Sequence, residues 1–173
     1  MAIVQSFIGT VVLLSPTMST TTLDSLGMHR MDDSEIAGFL ASQGVGILGL
    51  PTDGAPYLLP MSFGFDGEDA LYFTYVLGEQ STKRQLTHAA ESARFLVYSA
   101  PSKFTWESVQ LTGTIEQVPA DEWGDLADVL ARAWRPATFE EAAMTGEIEV
   151  YRFEIEQRVG FKQTGLPPGF SEQ

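Results

Sequence analysis

Ile148-Glu149-Val150-Tyr151-Arg152-Phe153-Glu154-Ile155-Glu156 is the stretch that decides the fold class. Apolar and polar residues alternate along it, the period of a strand with one buried and one wet face. Upstream lies a longer run, residues 106–118, in which Val109, Leu111 and Ile115 share one alternating face. Before it, Ala93-Arg94-Phe95-Leu96-Val97-Tyr98 makes a third strand. Tyr57-Leu58-Leu59-Pro60-Met61-Ser62-Phe63-Gly64-Phe65 and Ala70-Leu71-Tyr72-Phe73-Thr74-Tyr75-Val76 flank Asp66-Gly67, and two aromatic-rich runs about a glycine turn form a hairpin. Val45-Gly46-Ile47-Leu48-Gly49-Leu50, closed by the turn Pro51-Thr52-Asp53-Gly54, completes a set of six.

Helices fill the connections. Asp32-Asp33-Ser34-Glu35 supplies a cap and an acidic first turn, Ile36, Phe39 and Leu40 share a face, and Gly44 is a stop, so residues 33–43 form a helix. Ser81 caps a second helix that runs to about Ala90. Residues 121–134 carry a stripe of Leu126, Val129, Leu130 and Ala133, and Thr138-Phe139-Glu140-Glu141 reads as a capping box. The expected architecture is mostly β with peripheral α: six antiparallel strands flanked by short helices, curled into a closed or half-closed barrel that hides the strand edges.

No repeat or linker interrupts residues 32–163, which read as one domain. Residues 1–31 read as a flexible or peripherally docked extension. The apolar run Phe7-Ile8-Gly9-Thr10-Val11-Val12-Leu13-Leu14 is too short to span a bilayer and lacks a preceding basic segment. Residues 164–173, with Pro167-Pro168-Gly169, read as an irregular tail.

Composition removes whole classes of function. The chain has no cysteine, hence no disulfide, thiolate metal site or cysteine nucleophile. Twenty-three acidic residues face ten basic ones, a net charge of −13, and such a surface repels nucleic acid and anionic lipid. An acidic, lysine-poor surface on a well-cored domain suits a salt-rich cytoplasm, where self-repulsion is screened.

Several motifs fail on context. Gly44-Val45-Gly46-Ile47-Leu48-Gly49 matches a dinucleotide fingerprint letter for letter, but a helix precedes it and a strand follows, the reverse of what a pyrophosphate needs. Its glycines instead ease a tight helix–strand packing. His29 and His88 stand far apart in sequence and read as surface histidines, while Glu140, Glu141, Glu147 and Glu149 read as a solvated acidic face.

One constellation survives. Ser81-Thr82-Lys83-Arg84 follows a strand and opens a helix, so two hydroxyls, two cations and free helix N–H groups converge where a phosphate would bind. A capped helix with exposed bases is the alternative. The adjacent cations stand in a chain that spends few, and Pro60, lacking a ladder donor, places Pro60-Met61-Ser62-Phe63 at an edge or bulge with backbone groups free for a flat ligand.

The order of these segments resembles the pyridoxamine 5′-phosphate oxidase-like FMN-binding split β-barrels, over about residues 32–163. The resemblance rests on Pro60 to Phe65, Asp66-Gly67, Leu71-Tyr72-Phe73-Thr74, Ser81 to Leu86, and Ser108-Val109-Gln110-Leu111-Thr112-Gly113. It implies a six-stranded, Greek-key split barrel, a homodimer with FMN at the interface, and redox chemistry on a small organic substrate. By the same resemblance Pro60, Met61, Ser62 and Phe63 lie along the flavin and Thr74 approaches the ribityl phosphate. Ser81 and Lys83 clamp that phosphate, with Thr82 and Arg84 beside them, and Ser108 and Gln110 reach the flavin from the second subunit. Arg158 and Lys162 are candidates for a late basic contact. Phe63, Phe65, Tyr75 and Trp106 are possible walls of a stacked pocket.

The chain departs from true pyridoxamine-phosphate oxidases. Leu58 and Phe63 stand where those enzymes carry arginine and lysine, and the C-terminal Arg-x-His and Arg-Leu-x-Pro signatures are missing. The resemblance therefore points to the wider flavin-barrel group, nitroimidazole-reductase-like members included. A deazaflavin or haem in the same cleft, or a flavin-binding or stress-related module without turnover, are the other readings.

Overall fold

The computed structural model describes residues 27–78, 80–133 and 147–166. Strands β1 (Met28–Arg30), β2 (Val45–Leu50), β3 (Tyr57–Ser62), β4 (Gly64–Phe65), β5 (Ala70–Leu77), β6 (Ala93–Ser102), β7 (Thr105–Val118) and β8 (Glu147–Thr164) form one antiparallel sheet. Its order is β3-β2-β6-β7-β8-β5-β4, with β1 paired to the far end of β8. Helices α1 (Asp33–Ser42) and α2 (Thr82–Ala89), a 3-10 turn (Ala120–Leu126) and α3 (Ala127–Ala131) lie at the connections. Neighbours β6, β7 and β8 followed by β5 reproduce Greek-key order.

Among the described residues eight strands stand where six were expected, for two reasons. Met28–Arg30, assigned to the N-terminal extension by sequence, pairs with Phe161 to Gln163. The apolar run 57–65 also divides at Phe63, whose backbone N–H donates to Gly44 O at 3.0 Å. Beyond that point Gly64 and Phe65 leave β2 and pair with Tyr72 and Leu71 of β5. The two ends of the hydrogen-bonded path are thus consecutive pieces of one run. Covalent chain, not a ladder, joins them, and the barrel is split there.

Inside, Phe95 stands edge-on to Phe63 (ring centroids 5.3 Å apart) and tilted to Phe73 (5.1 Å), with Phe153 closing the group. The close fit explains Gly46, where a Cβ would lie 2.5 Å from the Phe95 ring and 2.8 Å from Leu96 O. The crowding is strand against strand, not helix against strand as expected. Between β7 and β8 the register slips at Thr112/Gly113, and a Cβ on Gly113 would fall 1.8 Å from Glu154 O.

Helix α1 opens with a reciprocal capping box: Glu35 N–H donates to Asp32 Oδ1 and Asp32 N–H to Glu35 Oε2, and Ile36, Phe39 and Leu40 are buried as their spacing requires. The expected helix over 121–134 is instead a 3-10 turn running into α3. Gly124 weakens the helix interior, and no side chain caps either piece. Leu126, Val129, Leu130 and Ala133 are still the half-buried stripe. The capping box at 138–141 lies outside the described residues.

Candidate functional site

Four residues separate helix α2 from the end of β5, and Thr87 is the side chain that it buries. Ser81 is its N-cap, with Oγ accepting from Arg84 N–H at 3.3 Å. Thr87 is buried and its hydroxyl lies 3.0 Å from Tyr75 Oη, while His88 Nε2 lies 2.9 Å from Tyr151 Oη. Tyr75 on β5 and Tyr151 on β8 are fully buried, their ring centroids 4.4 Å apart.

Behind these rings sits Glu149, only 8% exposed. Tyr151 donates its hydroxyl hydrogen to Glu149 Oε2 at 2.6 Å, and Arg84 Nη2 meets Glu149 Oε1 at 2.6 Å. This corrects the reading of Glu149 as part of a solvated acidic face. The residues Tyr151, Phe153 and Ile155 point inward, and Glu149, two positions earlier, shares their side of the strand. Because an ionised carboxylate only accepts, the Tyr151 hydrogen is committed, and His88 must donate from Nε2 to the phenol oxygen. His88 is exposed, a surface histidine as expected, and its Nε2 joins this network.

Burial pushes the Tyr75 hydroxyl up to about 12, against the Thr87 hydrogen bond. Burial, then the hydrogen bond and charge of Glu149, drives Tyr151 well above the ordinary tyrosine range. Lys83 is half-buried with its Nζ 4.4 Å above the Tyr75 ring. Burial alone lowers its pKa, and no carboxylate among the described residues pairs with it.

The other sequence-derived candidates lie elsewhere. Thr82 is exposed on the first turn of α2, and Thr74 faces outward from β5, the side opposite Tyr75. Pro60 and Ser62 face outward from β3, an edge strand in the hydrogen-bonded order, whereas Met61 and Phe63 point into the core. Phe63, Phe65 and Tyr75 are interior packing, which corrects their reading as walls of a stacked pocket, and the Phe63 N–H is taken by Gly44. Arg158 reaches Glu68 O at 3.3 Å, and Lys162 pairs with Glu35 on α1. Arg158 lies nine residues beyond Glu149 on β8, a path on the order of 30 Å along an extended strand. One copy of the chain does not gather these two around α2.

Ser108 and Gln110 do share a surface with Pro60. Register aligns Pro60, Ile47, Leu96, Gln110 and Val159 in one row across five strands, and Tyr98 opposite Ser108 beside it. Tyr98, which sequence reading passed over, is 57% exposed. It stands between an open depression of about 630 Å³ lined by Val45, Ile47 and Pro60 and a second of about 370 Å³ lined by Trp106 and Ser108. Leu58, Val45 and Val159 expose apolar area on the same side.

The family model for pyridoxamine 5′-phosphate oxidase matches residues 32–162. The chain belongs to that family. No curated protein matches it. Solved structures share the oxidase-family fold. A FAD-binding protein from Mesorhizobium loti is 19% identical with a TM-score of 0.64, covering 80% of this chain and 98% of its own. The FAD and heme binding protein from Mycobacterium smegmatis is 20% identical at a TM-score of 0.63, covering 83% and 77%. A candidate 5-nitroimidazole antibiotic resistance protein from Bacteroides thetaiotaomicron is 18% identical at 0.60, covering 79% and 89%. At such identities the likeness is one of fold.

Proposed function

We propose that this oxidase-family chain binds FMN and works as a homodimeric oxidoreductase on a small organic substrate. The observation that carries the reading is Lys83. A chain with more than twice as many acids as bases leaves this cation half-buried and, among the described residues, without a carboxylate, on the first turn of a helix capped by Ser81. A phosphomonoester fits that chemistry: Lys83 supplies the charge, Thr82 a hydroxyl, and α2 its free N–H groups.

When bound, the flavin ring supplies the hydride chemistry. The chain's part is holding and orienting. Pro60 and Ser62 would present edge-strand backbone toward the ring, whereas Thr74, on the face of β5 opposite Tyr75, stands apart from the phosphate clamp at Lys83. No side chain is assigned as acid or base. Ser108 and Gln110 act from the second subunit, and so does Arg158 or Lys162, the pair that one copy keeps apart from α2. The outward face bearing Leu58, Tyr98, Val45 and Val159 supports that pairing, since exposed large apolar side chains gathered on one sheet mark an interface. Leu58 and the buried Phe63 replace the two cations of the vitamin-oxidising members, which favours the nitroimidazole-reductase-like branch. Among the described residues no helix is long and apolar enough to cross a membrane, and the cytoplasm is the compartment we assign.

A haem or FAD is the second reading, favoured by the names of the Mycobacterium smegmatis and Mesorhizobium loti neighbours. An absorbance spectrum of protein purified in high salt separates them. Two visible flavin bands, with FMN released on denaturation, are expected. A Soret band, released FAD, or a colourless protein that does not take up FMN overturns the reading.

A further inference from the structure

Glu149 is a buried carboxylate with both oxygens engaged, Oε1 by Arg84 and Oε2 by Tyr151. A carboxylate this deep is stable in its charged form only when compensated. Arg84 provides the compensation while its own side chain is 43% exposed. Yet Arg84 also belongs to the first turn of α2, next to Lys83. Without Glu149 it would be a second cation for any anion bound there.

We propose that Glu149 is a positioning residue that withholds Arg84 from the α2 anion site, so that Lys83 alone sets the charge recognised. The inference rests on the phosphate reading of α2 given above. Tyr151 fixes the carboxylate, and the hydrogen donated by His88 fixes Tyr151, so the chain His88–Tyr151–Glu149–Arg84 runs from the C-terminal end of the helix back to its first turn. A one-cation site suits a phosphomonoester; releasing Arg84 adds a second donor group and a second charge. Two adjacent cations in the sequence thus have different tasks.

The full-length protein in high salt is titrated with FMN and, separately, riboflavin, following flavin fluorescence. The ratio of the two affinities isolates the phosphate. Glu149→Gln is expected to raise that ratio about tenfold, the worth of one partly screened charge-assisted hydrogen bond. The double variant Glu149→Gln/Arg84→Gln is expected to return it to the parent value. A merely structural Glu149 would weaken both flavins together and leave the ratio in place. An unchanged or lower ratio in Glu149→Gln, or a gain that survives in the double variant, overturns the proposal. Should Glu149→Gln fail to fold, Arg84→Gln alone decides: a ratio within roughly threefold of the parent supports it, and a tenfold fall overturns it. A parent ratio near one instead overturns the phosphate reading itself, and the role of Glu149 with it.

Discussion

Tyr151 hands its hydroxyl hydrogen to Glu149, two residues earlier on the same face of β8, across 2.6 Å. A strand places residues i and i+2 side by side, so this contact costs no backbone distortion. What is unusual is the burial of the carboxylate, with His88 and Arg84 of α2 as the outer partners. The helix is therefore fastened to the sheet by a polar network as well as by Leu86 and Thr87.

Removing one oxygen tests the fastening. Tyr151→Phe keeps the ring and its contact with Tyr75 but leaves Glu149 Oε2 and His88 Nε2 without partners. A loss of about 1–3 kcal/mol is expected. Urea denaturation checks it: the midpoint should fall with the slope unchanged, and an unaltered midpoint would show that water replaces the phenol at no cost.

Alkaline stability reports the same cluster. Burial lifts Tyr75 to about 12, while an unfolded tyrosine ionises near 10. A group whose folded pKa is raised stabilises fully below the unfolded value and loses its contribution as pH climbs toward the folded one. The Tyr75 contribution, on the order of 2–3 kcal/mol, should thus be intact at pH 9 and disappear between pH 10 and about 12. Tyr151 acts in the same direction. Denaturation midpoints measured from pH 9 to 11.5 should fall less steeply in Tyr75→Phe than in the parent; parallel curves would contradict the assignment.

The bulge on β8 makes a sharper demand. At Gly113 an added Cβ would lie 1.8 Å from the Glu154 carbonyl oxygen, a backbone atom that no rotamer change can move. Gly113→Ala should destabilise by about 3 kcal/mol, and more if the β7–β8 register has to reset. Gly124→Ala is the control, since a Cβ added there would meet nothing within 4 Å. Thermal melts of the pair should separate widely.

Much of this was legible from local pattern. Asp32 with Glu35, and Ser81 before a run without breakers, announce helix starts because caps act over three residues. Strand identity followed from alternation. The break at Phe63 was not legible, because an apolar run reads the same whether it stays with β2 or crosses to β5. Glu149 was hidden for a different reason: charged residues on a strand default to solvent, and its cation lies 65 positions away on α2. A signal did exist. The apolar phase changes from Ile148 and Val150 to Tyr151, Phe153 and Ile155, and that slip puts Glu149 in line with the inward set. Tyr98 carried one too, since Phe95-Leu96-Val97-Tyr98 is apolar on both faces and so calls for two covers, the core and something outside it.

That second cover yields a test of assembly. If a second copy rests on the face around Tyr98, a charge there is buried without a partner. Tyr98→Asp should convert the dimer to monomer, or weaken association by at least about a hundredfold, as central aromatic anchors do. Light scattering in molar salt reads it directly. A monomeric parent protein would remove the two-subunit site altogether.

Lys83 carries the last and most direct test. Its ammonium is desolvated over Tyr75, and its lowered pKa has burial as its sole cause. An anion bound beside it would restore a partner and raise that pKa again, so anion binding and lysine protonation favour each other. Lys83→Gln keeps the chain length and a donor but removes the charge. FMN affinity should fall by about 1.5–3 kcal/mol, while riboflavin, which lacks the phosphate, should bind as it does to the parent. The loss should shrink as salt is raised, since free anions compete for the same cation. Equal losses for FMN and riboflavin would mean that Lys83 serves the packing of α2 on Tyr75, and the phosphate would then have to be held by other residues.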